Sequence, residues 1–217
     1  EPLSLQKIRE LGVFAQDAVT LGKLTLAGGG RYAQIYEYQR YAGSTQTDYT
    51  SYAFLPSASA LLKINESASL FADYAQSYRP NIFATGLGVN LKFVGPILPQ
   101  QGTGYEGGIK GHLLDGRLDY ELEAFLLHFN NLVVEGGSNA AGQPQLVNAG
   151  SELFRGLEWE SRYRLWHDLQ LAASASYHSA RFASYDVADA DSPTGRDDFS
   201  GRQQALSPRT LASAGLL

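Results

Sequence analysis

The chain has 217 residues, with 17 Lys and Arg against 22 Asp and Glu and a formal net charge of −5. That length can bury a sizeable core, and the charge leaves no cationic footprint for nucleic acid. The absence of cysteine excludes a disulfide framework and a Cys-built zinc centre, while 13 Tyr and 23 Gly favour strands, membrane interfaces and turns.

The opening residues, EPLSLQKIRE, carry neither a basic segment nor an apolar run, so no signal peptide is read there. No stretch approaches 18 consecutive apolar residues, which excludes a spanning helix. There is no Met, and the closing TLASAGLL halts inside an apolar alternation, so the chain is expected to be an internal piece of something longer.

Strand-like alternation is predicted near 10–19, 23–37, 50–63, 68–78, 104–113, 117–131, 146–164, 168–182 and 207–217. Every second connection is tight: TLGK at 20–23, INES at 64–67, LDGR at 114–117 and LWHD at 165–168. The first three carry the Gly, Asn or Asp that hairpin turns require, and the fourth carries Asp168. The other connections, near 38–49, 79–103, 132–145 and 183–206, are long and collect Gly, Pro, Asn, Gln and Asp. Short turns at one end and long loops at the other is the arrangement of an outer-membrane barrel, whose strands need ~9–11 residues to cross.

The faces fit that reading. In 68–78, Leu70, Ala72 and Tyr74 oppose Ser69, Asp73 and Ser77, with Phe71 and Ala75 among them. In 117–131, Leu118, Tyr120, Leu122, Ala124 and Leu126 oppose Arg117, Asp119, Glu121 and Glu123. Leu157, Trp159 and Tyr163 oppose Glu158, Glu160, Arg162 and Arg164, and Leu169, Leu171, Ala173, Ala175 and Tyr177 oppose Gln170, Ser174, Ser176 and His178. A lipid-facing band over a charged lumen explains all four, although soluble antiparallel sheets alternate too. Tyr32, Tyr74, Tyr78, Tyr163, Trp166 and Tyr177 fall near strand ends, where an aromatic girdle belongs.

Other motifs carry little. GTGYEG at 102–107 matches a dinucleotide-binding spacing but lacks the strand before and the helix after. His112, His128, His167 and His178 have no metal-ligand spacing, and the acidic stretch 186–198 lacks the order of a calcium loop. No metal site, cofactor or catalytic arrangement is read, so the chain is not expected to be an enzyme.

Three stretches in order, YEGGIKGHLLDGRLDYELEAFLLHFNNLVV (105–134), VNAGSELFRGLEWESRYRL (147–165) and LQLAASASYHSARF (169–182), resemble the barrel of TonB-dependent outer-membrane receptors. LGVFAQDAVTLGKLTLAGGGRY (11–32), SLFADYAQSYRP (69–80) and LSPRTLASAGLL (206–217) resemble further strands of the same barrel. The resemblance implies an all-β antiparallel transmembrane meander, about nine strands of a 22-stranded plugged barrel, roughly its strands 10 to 18. Residues 1–217 would be part of a single barrel domain, with the plug and the closing strands lying elsewhere. It implies a receptor in the outer membrane of a Gram-negative bacterium that imports a ferric siderophore or similar iron chelate, energised by TonB through the plug region. Cobalamin or glycan uptake and a passive porin are the alternatives.

Two groups of residues follow as candidates. Tyr41, Tyr78, Arg79, Phe83 and Phe93 lie in or beside the long loops, where aromatic rings and cations suit an anionic chelate. Glu121, Glu123, Glu158, Glu160, Arg162 and Arg164 alternate toward the lumen as an ion-pair lining, and on the family analogy would contact the plug.

Overall fold

The computed structural model describes residues 5–40, 47–80, 98–138, 144–148, 150–167, 169–188 and 192–217. These form strands β1 (Leu5–Leu21), β2 (Leu24–Arg40), β3 (Thr47–Lys63), β4 (Ala68–Arg79), β5 (Gln100–Leu113) and β6 (Leu118–Asn130). They continue as β7 (Val133–Ser138), β8 (Pro144–Asn148), β9 (Gly150–Trp166), β10 (Leu169–Ala188), β11 (Arg196–Asp198) and β12 (Thr210–Leu216). The nine long strands are the nine expected, and they pair antiparallel in the order β1-β2-β3-β4-β5-β6-β9-β10, with β12 on the free side of β10.

The tight turns close where the chain can bend backward. Gly22 has φ 63°, and the β5–β6 turn runs through Leu114 and Asp115 at 54° and Gly116 at 78°. A left-handed conformation is easy for Gly and tolerated by Asp, but costly for a leucine. In the β3–β4 turn the Ser67 amide donates to Asn65 Oδ1 at 2.8 Å, so the side chain mimics a turn of backbone. Because successive strands run antiparallel, the turns at 22–23, 64–67 and 114–117 share one rim, and the strand ends that lead into the long connections share the other.

The long connections differ from expectation in detail. The stretch 132–145 is not an open loop: β7 and β8 form a two-stranded hairpin of their own. The strand expected over 146–164 is accordingly two strands, with β8 turning away from β9. β10 runs on to Ala188 because β11 pairs back onto its end, and the chain beyond β11 continues along β10, with Arg181 bridged to Gln203.

Sheet architecture leaves few residues enclosed. Among the described residues the buried apolar ones are Ala33, Ile35, Ala53, Ala180 and Val187. The chain exposes 14531 Å², whereas a compact soluble protein of this mass exposes about 9,800 Å². Among the described residues no layer covers either face of the sheet.

The charged face and the loop-bearing rim as candidate functional site

Side chains alternate along a strand, so register assigns each residue to a face. One row runs across the sheet through Leu21, Leu24, Leu62, Leu70, Ile109, Leu122, Trp159, Ala175 and Ala212. Every member is apolar. Leu122 and Trp159 nevertheless remain 46% and 41% exposed, because no other element among the described residues covers them. Farther along the same face the rings of Tyr74 and Tyr105 meet at 5.2 Å.

The opposite face carries charge. Glu123 lies opposite Glu158, Glu121 opposite Glu160, and Asp73 opposite Glu106. Arg162 lies opposite Asp119, and Arg164 opposite Gln170, both nearer the tight turns. Lys110 lies opposite Glu121, yet its Nζ sits 4.7 Å above the Phe71 ring. Among the described residues the ion pairs are Arg31–Glu10 and Arg196–Asp186, each at 2.8 Å, and none of the six central carboxylates joins them. Alternation was enough to put acids and arginines on one face. Register, which alternation does not reveal, sets Glu against Glu instead of Glu against Arg. Like charges directly opposite destabilise a sheet unless water or a cationic partner meets them.

At the loop-bearing rim, Tyr41, Phe83 and Phe93 lie outside the described residues. Arg79 ends β4 opposite Gln100, exposed and without a partner among the described residues. Tyr78 is placed differently from an interface anchor. The β3–β4 ladder stops at Ser57–Ala75, beyond which β3 stays with β2 and β4 stays with β5. The Tyr78 hydroxyl is buried beside that of Ser51, with Glu37 and Tyr49 close enough to act on it electrostatically. Glu37 is 1% exposed, and its carboxylate has no hydrogen-bond partner among the described residues. This buried polar group of Glu37, Ser51 and Tyr78 had no signal in the sequence beyond Tyr78 itself.

A second feature at this rim also escaped the sequence. Asn148 Nδ2 donates to the Leu98 carbonyl at 2.9 Å and to the Asn131 carbonyl at 3.0 Å, and its Oδ1 accepts from the Leu98 amide at 2.6 Å. Asn131, at φ 60°, donates to the Pro99 carbonyl at 2.9 Å. Two asparagines thus tie the approach to β5 to both ends of the β7–β8 hairpin. Farther along, Asp186 pairs with Arg196, and the amide and hydroxyl of Ser200 hold the Asp198 carboxylate below its usual range. Those acids serve the loop's own structure.

Residues 4–217 match the family model described as TonB dependent receptor-like, beta-barrel. The chain is 30% identical over 136 residues to the metal-pseudopaline receptor of Pseudomonas aeruginosa, covering 63% of this chain and 18% of that protein. It is 34% identical over 131 residues to the ferripyoverdine receptor of the same species, covering 59% and 15%. Among solved structures, the ferric yersiniabactin uptake receptor of Yersinia pestis superposes with a TM-score of 0.79 at 16% identity, covering 99% of this chain and 32% of that one. A siderophore receptor of Acinetobacter baumannii gives 0.77 at 18%, covering 97% and 31%. The chain therefore spans less than a fifth of the curated relatives it matches and about a third of these two structures.

Proposed function

Because the chain belongs to the TonB-dependent receptor-like β-barrel family, we propose that it is part of a plugged outer-membrane barrel that actively imports a ferric siderophore or similar iron chelate. The observation that carries this is the family match over 4–217, joined to a meander that keeps its tight turns on one rim. On this reading the row from Leu21 to Ala212 meets lipid and the glutamate face lines the lumen. Residues 1–217 belong to a single barrel domain, about nine strands of a 22-stranded barrel whose plug and closing strands lie elsewhere in the protein. The protein is a transporter without catalytic residues.

Glu121, Glu123, Glu158 and Glu160, with Arg162 and Arg164 below them, form the wall against which the plug seats. Opposed carboxylates favour a cationic plug surface as their partner. TonB acts through that plug. Arg79, with Tyr41, Phe83 and Phe93 on the long loops, supplies cation and aromatic contacts to the chelate, since charge-assisted bonds and ring stacking suit an anionic metal complex. Tyr78 acts from beneath, fixing the end of β4 against β3 where the connection to β5 begins.

The deciding assay is uptake of labelled ferric chelates by cells carrying the intact gene, with and without functional TonB. Energy-dependent uptake that stops without TonB is expected. Uptake that persists without TonB would replace this reading with a passive channel, and uptake of cobalamin or glycan alone would change the cargo.

A further inference from the structure

The sheet is held unevenly along its width. β2 and β3 share sixteen residue pairs and β4 and β5 share twelve, but β3 and β4 share seven, from Lys63–Ser69 to Ser57–Ala75. Pro56, the next residue of β3, has no amide hydrogen with which to continue the ladder. Beyond it β3 runs to Thr47 and β4 runs from Gln76 to Arg79 with no backbone pairing between them.

Side chains meet across that gap. The Tyr78 hydroxyl is buried beside Ser51, itself 5% exposed, and neither carboxylate oxygen of the buried Glu37 has a hydrogen-bond partner among the described residues. Ile8 of β1 and Tyr49 of β3 lie opposite Glu37, and Ile35 precedes it on the same face of β2. The charged groups nearby are turned elsewhere. Lys7, Arg9 and Asp48 alternate to the other face, Glu10 and Arg31 pair with each other at 2.8 Å, and Arg79 is exposed. Glu37 stands thirteen residues along β2 from Leu24, beyond the ~9–11 that cross a bilayer. Its burial pushes the carboxyl above the usual range. Taking an ionised carboxylate out of water without a cation costs more than protonating it. Once protonated, it gains an O–H donor and joins two hydroxyls that each donate and accept.

We propose that Glu37, Ser51 and Tyr78 form a proton-operated latch that holds the end of β4 to β3 where the ladder is missing. With Glu37 neutral, the three side chains bond to one another across the gap. With Glu37 ionised, water enters to solvate the charge and the end of β4 separates from β3. The closed latch binds the proton more tightly than the open one. It is therefore fully present below the ordinary carboxylate range and is lost as pH rises through the raised value. Arg79 follows Tyr78 directly, so opening also releases the cation proposed above to meet the chelate. That consequence rests on the proposed function, whereas the latch rests on the strand geometry.

The test reads amide exchange, corrected for its intrinsic pH dependence, in the intact receptor in nanodiscs without chelate. Protection over 76–79 should fall about tenfold between about pH 5 and about pH 8, while β9 and β10 keep theirs. Glu37→Gln, neutral throughout, should hold its protection across that range, and Glu37→Asp should keep a pH dependence. Tyr78→Phe should leave 76–79 weakly protected even in acid, with β9 and β10 again reporting an intact fold. A wild type that does not titrate, a Glu37→Gln variant that titrates like it, or a parallel fall in β9 and β10 would overturn the latch. Loss of this titration sinks the latch alone, whereas absent chelate uptake with the titration intact sinks the cargo assignment alone.

Discussion

Leu122 and Glu123 are neighbours in the chain, and the pleat sends them to opposite faces, which on the proposed reading meet different solvents. Leu122 sits in the all-apolar row four residues above the start of β6, close to the middle of a segment that crosses with ~9–11 residues. Placing Arg there forces a cation into hydrocarbon near the midplane, and Leu122→Arg should cost about 2–4 kcal/mol of barrel stability. Glu123 faces the other way, opposite Glu158, where removing one of two opposed carboxylates relieves repulsion. Glu123→Ala should therefore leave folding unchanged or slightly improved. Urea or guanidinium unfolding of the intact receptor in lipid, read through heat-modifiability, checks the pair, and equal tolerance at both positions would remove the lipid-facing assignment. The same alternation explains Gly108. It lies opposite Glu123 on the charged face, and a Cβ there would run into the Leu122 carbonyl and come within 3.0 Å of Glu123 Cα.

At the scale of elements, what holds the loop-bearing rim is side-chain to backbone bonding instead of ladder. Asn148 makes three such bonds at the corner between β8 and β9. Replacing it by Ala should remove the three bonds it makes to Leu98 and Asn131, a loss of about 1–3 kcal/mol local to the rim. Amide exchange should rise at Leu98, in β7 and in β8, while β9 and β10 keep their protection; exchange unchanged at Leu98 would show that the tie carries no strain-bearing role. This corner also marks where sequence reading stopped. β4, β6, β9 and β10 were legible because one face stays apolar over several turns of the pleat, even where Phe71, Phe125 or Ala172 interrupts the polar face. The tight turns were legible from Gly22, Asn65 and Gly116. The β7–β8 hairpin was not, because its Gly-rich VVEGGS has no alternation and PQLVN runs without a break into the next apolar period. Tyr78 looked like a girdle residue by position alone. Its burial depends on the β3–β4 ladder ending beside Pro56, which has no amide hydrogen to extend it. Of the candidate site, the charged face was readable from period two; the opposition of Glu to Glu depended on long-range register, and the Glu37–Ser51–Tyr78 group on strands parting.

Taken as one object, the described residues form a sheet with two bare faces and two bare edges. Among the described residues β1 pairs only with β2, and β12 only with β10. Its exposed area, 14531 Å², is about half as large again as a compact soluble protein of this mass would show. Water cannot cover the apolar row cheaply, and hydrocarbon cannot satisfy the unpaired amides and carbonyls of β1 and β12, each of which costs several kcal/mol there. Neither solvent alone stabilises the sheet, so its folding depends on strands that pair with both edges. These 217 residues, expressed by themselves and offered detergent micelles or liposomes, should accordingly aggregate or remain unfolded. Size-exclusion chromatography with light scattering, followed by electrophoresis with and without boiling, reads the outcome directly. A monodisperse monomer whose mobility shifts on boiling would mean that β1 and β12 close on each other, and the 22-stranded barrel proposed here would have to be abandoned for a much smaller one.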